Sequence, residues 1–469
     1  MPVPVGAPFT EGRRILIAFI VACAFLMQGI DSTLLTIAIP TIAEALQVDP
    51  LLLHLAITGY LLSLAVFMPV SGWFADRFGA RLVFCAALAA FTFGSLLASV
   101  APTLTTLVAA RVLQGFGGAL MTPVGRLIVL KAFGPGRTLD AMTYLTLPVL
   151  IGPLLGPLLG ATIISFTSWR WLFLVNVPVC AVTILLTLRF VPALAKGIPT
   201  RFDFRGFVLV GVSLVLFQLG VEHLARPSWG PLGSATIFAA SIAIFIFYAL
   251  RARGRTGTAL DLSLFSSRSF SVGVIAGGIG RVGLNSSAFL LPLLLQIGFG
   301  MAPIAAAGLA SLSAFGAFAA KPLLRWSIRS FGYAATLVSV AVLGALLMGS
   351  FATMGPSVPL PVLVGTVFAL GAVRTMHFNA VNSLTYAGVP EAKLSSSVAS
   401  AGVFQQLSMG LGVSISAAML SMLVPEGSLP GVADFQVVFL AMAAIPMLSV
   451  PILLLLGDYP GQLRAERPA

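Results

Sequence analysis

Residues 15–39 read Ile-Leu-Ile-Ala-Phe-Ile-Val-Ala-Cys-Ala-Phe-Leu-Met-Gln-Gly-Ile-Asp-Ser-Thr-Leu-Leu-Thr-Ile-Ala-Ile, an apolar run broken by one acid, Asp31, and preceded by Arg13 and Arg14. About 20 such residues suffice to cross the hydrocarbon of a bilayer as a helix. The run is too long for the core of a signal peptide, so it is expected to stay as the first membrane helix. The rest of the chain has the same character. Only 9% of its residues are charged and 58% are hydrophobic, whereas a water-facing surface calls for about 25–35% charge. Lipid is the solvent that suits this composition.

The spacing predicts helices over 15–39, 51–75, 82–101, 104–130, 140–165, 171–193, 206–224, 231–250, 271–298, 303–326, 334–354, 359–386, 395–423 and 434–457. Charge placement tests this count. With the N-terminus inside, 20 of the 26 Lys and Arg fall in cytoplasmic segments, among them Lys131, Arg137 and Lys393. External loops carry Arg170 and Arg226, and the spans hold Arg111, Arg126, Arg281 and Arg374. One missed helix would invert every later loop, so the alternation argues for fourteen spans and two cytoplasmic ends. Polar stretches at 194–205 and 251–270 divide the chain into a six-helix bundle (1–195), a two-helix insert (196–268) and a second bundle with a short tail (269–469). Asp76-Arg77-Phe78-Gly79 after the second span is echoed by Arg329-Ser330-Phe331-Gly332 after the tenth, as parallel repeats require.

Several function classes drop out. The net charge of +12 is scattered between apolar runs rather than gathered in a basic domain, which argues against nucleic acid. Cys23, Cys85 and Cys180 lie inside apolar runs and read as small core residues. No phosphate-binding loop or metal-ligand cluster is present, and His54, His223 and His377 are far apart. The chain is therefore expected to be no enzyme, to use no metal or cofactor, and to draw on an ion gradient.

Attention then falls on ionisable groups within the membrane, which are costly there and usually functional. Of the fourteen acids, Asp31 alone lies well inside a span. It sits roughly 12 Å from the outer end of its helix at 1.5 Å per residue. Arg111, on the oppositely directed fourth helix, sits at a similar depth. The two are expected to face each other, with Gln114 one turn along the same face. A dry site favours the neutral acid and a guanidinium favours the carboxylate. Alternating access that switches which effect dominates meets the physical requirement for proton exchange. The plainer reading is a permanent ion pair joining two helices.

Arg126, Arg281 and Arg374 have no acid at matching depth, so they face water, backbone carbonyls or an anionic substrate. Snorkelling is the alternative, above all for Arg126, five residues before Lys131. His377, Asn379 and Asn382 continue a polar stripe from Arg374 and are expected to line a substrate cavity. Gly152-Pro153-Leu154-Leu155-Gly156-Pro157-Leu158-Leu159-Gly160 repeats a small residue every four positions, a face for close packing kinked by prolines, either as packing alone or as a hinge sealing the boundary of the two halves. The loop Gly72-Trp73-Phe74-Ala75-Asp76-Arg77-Phe78-Gly79-Ala80-Arg81 is at least a topology signal with a turn at Gly79. More sharply, it is a latch in which Asp76 meets the positive end of the helix starting near Ser395.

These segments resemble the major facilitator superfamily, in particular its fourteen-spanner drug:proton antiporter branch. Gly72–Arg81 is similar to the superfamily's loop motif, and Arg111-Val112-Leu113-Gln114-Gly115 to its fourth-helix motif. Gly152–Gly160 is similar to the antiporter motif, and Gly29-Ile30-Asp31-Ser32-Thr33 through Ala38-Ile39-Pro40 to the branch's first-helix motif. Trp169 to Phe173, Asn176-Val177-Pro178 and Phe202 to Gly206 add family-like segments. The resemblance implies two six-helix bundles, alternating access and proton-driven export across the bacterial inner membrane. Expected partners are a small-molecule substrate, protons and the bilayer, with no nucleic acid and a monomeric state. One departure matters. Beyond the first helix the intramembrane acids common in cation exporters are missing, which raises an anionic metabolite or metal chelate beside drug-like compounds. A non-transporting sensor of the same fold is the reading from another class.

Overall fold

The computed structural model describes residues 10–134, 137–193, 202–225, 230–255, 257–390, 393–425 and 428–456. Lipid offers no partner to a backbone N–H or C=O, and a helix satisfies both internally. The described chain is accordingly all-α.

The first helix, α1 (Glu11–Leu46), continues through Pro40 and stops at Gln47, whose left-handed backbone (φ 53) closes the last turn onto Ala43 and Glu44. It outruns the expected 15–39 because a proline bends a helix without having to end it. The second expected span is segmented. A 3₁₀ turn leads into α2 (His54–Phe67), a second turn at Met68–Val70 carries Pro69, and α3 (Ser71–Phe78) ends where Gly79 adopts φ 92. Next come α4 (Ala80–Ser99), α5 (Leu104–Phe133), which starts on a Thr103–Thr106 capping box, and α6 (Thr138–Phe166). The sixth expected span is divided at Val175 into α7 (Trp171–Leu174) and α8 (Asn176–Phe190). Then follow α9 (Phe204–Ala225) and α10 (Gly230–Ala252).

The remaining helices are α11 (Arg268–Leu293), α12 (Pro303–Ser350), α13 (Leu360–Ala387), α14 (Leu394–Leu423) and α15 (Val432–Leu454). The 48 residues of α12 would measure about 72 Å if straight, against a hydrocarbon core of about 30 Å. Gly332 breaks the helix into two arms with φ 84 and ψ 177. Two helices were expected there, over 303–326 and 334–354. Helical hydrogen bonding instead carries on through the basic segment Lys321–Arg329 up to the glycine.

Among the described residues, twelve helical segments are long and apolar enough to cross a membrane, the two arms of α12 counting as one. A shorter apolar stretch, Ile151–Phe166, belongs to α6. The protein is multi-pass. Its contacts cluster into two compact units, Met1–Gly211 and Val212–Ala469, and the boundary falls inside α9. In the first unit α1 packs on α6, α8 and α5, while α5 also receives α2 and α4. In the second, α11 is surrounded by α13, α14 and α15, and α12 lies along α13. A core around Val272, Leu337, Val373, Val381 and Leu384 holds that unit together.

Candidate functional site

The first unit buries a charged pair in its interior. Asp31 on α1 and Arg111 on α5 are 2% and 1% exposed and form an ion pair, Arg111 Nη1 donating to Asp31 Oδ2 at 2.6 Å. The same Nη1 donates to Gln114 Oε1 at 2.9 Å, one helical turn away. Arg111 Nε donates to the Ala56 carbonyl at 3.3 Å, and the guanidinium lies 4.4 Å from the centre of the Tyr60 ring. The other carboxylate oxygen, Oδ1, accepts from Asn176 Nδ2 at 2.8 Å and from Gln114 Nε2 at 3.3 Å. Gln114 and Asn176 both also donate to Ser95 Oγ, at 2.6 and 3.1 Å. Tyr60 accepts from Gln28 at 3.2 Å, and Thr122 donates to Gln28 at 2.7 Å. A buried charge pair persists only when its spare lone pairs and protons find partners. Here α2, α5 and α8 supply partners directly, and α4 supplies Ser95 behind Gln114 and Asn176.

Small residues let these helices close in. A Cβ on Gly115 would press on the Tyr60 carbonyl at 2.6 Å, and one on Gly117 on the Ala87 carbonyl at 2.7 Å. A Cβ on Gly118 would lie 3.0 Å from Gln28 Nε2. The stripe on α6 faces the back of α1, inside the first unit. A Cβ on Gly152 would come within 2.9 Å of Gly29 Cα, one on Gly156 would meet the Thr33 side chain and, at 3.0 Å, the Ile30 carbonyl, and one on Gly160 would meet Ile37 at 2.8 Å. Gly152, Gly156 and Gly160 thus clasp the turns of α1 that carry Asp31, and Pro153 and Pro157 sit between them.

Reading the sequence finds Asp31, Arg111 and Gln114 but misses Ser95, Asn176, Tyr60 and Gln28. Asn176 had a signal, a lone amide in an apolar run just before Pro178. Ser95 had none, since serine is common in such helices. Asn176→Ala should lower stability by about 1–3 kcal/mol, the usual cost of stranding buried polar partners. The thermal midpoint of the purified protein reads this, and an unchanged midpoint would remove Asn176 from the network.

In the second unit the crossing of α11 and α13 brings together Arg281, His377 and Asn382. Arg281 Nη2 donates to Asn382 Oδ1 at 2.7 Å, and its guanidinium lies 5.3 Å from the centre of the Phe378 ring. His377 is buried with its Nε2 against Gly280, where any Cβ would clash. Arg374 and Asn379 are half-buried on α13 without a hydrogen bond to that group. Arg126, in the first unit, is exposed on α5.

On α3, Asp76 is half-buried and Arg77 exposed. Gly79 supplies the left-handed stop, its N–H bonded to the Ala75 carbonyl at 2.9 Å. Arg81 donates to the Leu188 carbonyl of α8. Trp73 packs against Phe202, 5.3 Å between ring centres, and so ties the segment before α9 to this loop.

With that geometry in hand, residues 21–413 match the sequence profile of the Major Facilitator Superfamily. The chain belongs to the major facilitator superfamily. Its relatives in that superfamily include "Putative multidrug resistance protein MdtD" of Escherichia coli O6:H1, 36% identical over 407 residues that make up 86% of each chain. The protein of the same name from Salmonella paratyphi B is 37% identical with the same coverage. Two solved structures share the fold. The peptide transporter POT matches 98% of this chain and 97% of its own at a TM-score of 0.69 and 15% identity. The nucleoside transporter NupG matches 96% of this chain and 100% of its own at 0.62 and 15% identity. This major facilitator protein is thus a membrane transporter and not an enzyme.

Proposed function

We propose that the protein is a proton-coupled exporter that moves small organic molecules, drug-like compounds or organic anions, by alternating access. The observation that carries this reading is the carboxylate of Asp31, buried against Arg111 and held by Gln114 and Asn176 within a bundle of apolar helices. Protonating Asp31 would cancel its charge pairing with Arg111 and weaken the hold of Gln114 and Asn176, so proton uptake is tied to how α1, α5 and α8 pack. The relatives' name, multidrug resistance, supports efflux as the direction. Fourteen crossings follow if α6 and both arms of α12 each cross, and the basic segments then put both ends in the cytoplasm. The enterobacterial relatives support the inner membrane as its place. The proton gradient supplies the energy, with no cofactor, and the protein acts as a monomer on substrate, protons and lipid, without nucleic acid.

The test uses purified protein in liposomes under an imposed pH gradient, with candidate substrates of both charges. Uphill movement that collapses with the gradient is expected. If no compound moves at a gradient-dependent rate, antiport is wrong and a non-transporting sensor becomes the better reading. Organic anions gain from one further observation, that no described acid faces Arg281 or Arg374.

Asp76 serves as a latch in this reading, closing on the N-terminal end of α14 in one state of the cycle. Asp76→Asn should slow turnover several-fold and shift the protein towards the inward-open state. Cysteine-labelling rates measured from each side of the membrane report the shift, and unaltered rates would count against the latch.

A further inference from the structure

Arg281 and Arg111 sit in similar surroundings with opposite outcomes. Arg111 is neutralised by Asp31. Arg281 is 4% exposed, and its partners are neutral: the Asn382 amide oxygen and the face of Phe378. Its Nε–H is buried without an acceptor. His377, one residue before Phe378, is 1% exposed with Nε2 also lacking a partner. Arg374 precedes Phe378 by one turn on the same stripe of α13, and no described residue pairs with it.

The described acids of this unit are engaged elsewhere. Glu222 accepts from Gln218 and from Ser414, Asp261 accepts from the Ser263 backbone, and Asp434 from the Gly431 backbone. A cation held in an apolar bundle without a counter-charge is costly. Such a cost is tolerated where a ligand supplies the missing charge, because a site that must release its ligand cannot carry a permanent acid.

Depth narrows the ligand. Arg281 lies at the middle of the 26-residue α11, and Arg374 at the middle of the 28-residue α13. Lipid headgroups sit at the ends of such helices, whereas transported molecules are bound near the midplane. A guanidinium presents two parallel N–H groups that match a carboxylate or a similar planar oxyanion. Phe378 adds an aromatic face beside it.

We infer that the α11–α13 crossing is the anion-recognition subsite of the transporter, in which Arg281 binds a carboxylate of an amphipathic organic substrate, Asn382 gives up its hydrogen bond to that carboxylate, and Arg374 contributes the second positive charge. This rests on reading the chain as an exporter of small organic molecules. It names the substrate's charged group and assigns Asn382 as the acceptor that the carboxylate replaces.

The experiment is a binding titration that needs no proton gradient, so it stands apart from the antiport test. Full-length protein in phosphatidylcholine nanodiscs is titrated with three fluorescent probes sharing one aromatic body: dansylglycine (anion), its neutral amide, and dansylcadaverine (cation). Dansylglycine should bind at least tenfold tighter than the other two. Arg281→Gln should remove that preference, Arg374→Gln should weaken dansylglycine several-fold, and Asn382→Ala should tighten it, because no amide oxygen then competes for the guanidinium. Without ligand, the thermal midpoint of Arg281→Gln should equal or exceed that of the parent, since a buried uncompensated charge is gone. Equal affinity for all three probes, no binding of dansylglycine, or an undiminished preference in Arg281→Gln would each overturn the assignment. A lower midpoint in Arg281→Gln would mark the arginine as structural. Loss of dansylglycine binding when phosphatidylglycerol is added would assign the site to a lipid headgroup instead. Dansylglycine binding that survives a failed liposome experiment would leave the subsite standing and the antiport reading fallen.

Discussion

Asp31→Asn is expected to reduce uphill, pH-gradient-driven transport to the level seen without a gradient, while downhill equilibration of the same compound persists. Asparagine keeps the shape of the side chain and removes the group that can gain or lose a proton. Removing one partner of a buried pair costs about 3–5 kcal/mol when the remaining charge is abandoned. Arg111 then keeps Gln114, the Ala56 carbonyl and the Tyr60 face but loses its counter-charge, so the thermal midpoint should fall as well, and the downhill mode is the control that the variant is still folded. The two flux modes are compared in liposomes with and without a gradient. Wild-type uphill rates in Asp31→Asn would show that the proton travels elsewhere, and Asp31–Arg111 would revert to a fixed clamp between α1 and α5.

The second large effect is expected at Gly156. A valine there places its Cβ against the Thr33 side chain and the Ile30 carbonyl on α1. Thr33 is itself anchored to the Gly29 and Ile30 carbonyls at 3.2 and 3.1 Å, so it has little room to swing away. The two helices must separate along the turn that carries Asp31. Overpacking of this kind costs about 1–3 kcal/mol, and moving α1 also misplaces the ion pair. Gly156→Val should therefore lower the thermal midpoint and abolish transport together. Leu155→Val, at a neighbouring exposed position, serves as the control and should do neither. If Gly156→Val keeps parental stability, α1 and α6 do not meet at that glycine.

How much of this was legible beforehand depends on the kind of signal. Composition and the alternation of basic loops report on solvent, and lipid imposes the same demand on every segment, so the helical, multi-pass character was readable from end to end. Depth arithmetic along two helices placed Asp31 opposite Arg111, because rise per residue is constant. Helix ends were less readable. The first span, expected over 15–39, runs on through Pro40 to Leu46, while Gly332 is a break inside one long helix.

The glycines show the limit most clearly. Their four-residue period announced a face for close approach, but a face does not name its partner. Only the packed bundle shows that α6 lies on α1 in the first unit. Ser95 and Asn176 are ordinary letters in apolar runs, and they matter because α4 and α8 deliver them to the same carboxylate.

Taken one stretch at a time, the residues show that this chain suits a membrane, which of them are too costly there to be incidental, and how far along its helix each one lies. Solvent matching and helical rise are local properties that any stretch of chain obeys on its own. The tertiary structure alone decided which costly residues are neutralised and which are left charged, Arg111 by Asp31 and Arg281 by nothing but an amide and a ring. That outcome depends on how whole helices rotate and cross, a collective result of packing that no single segment contains.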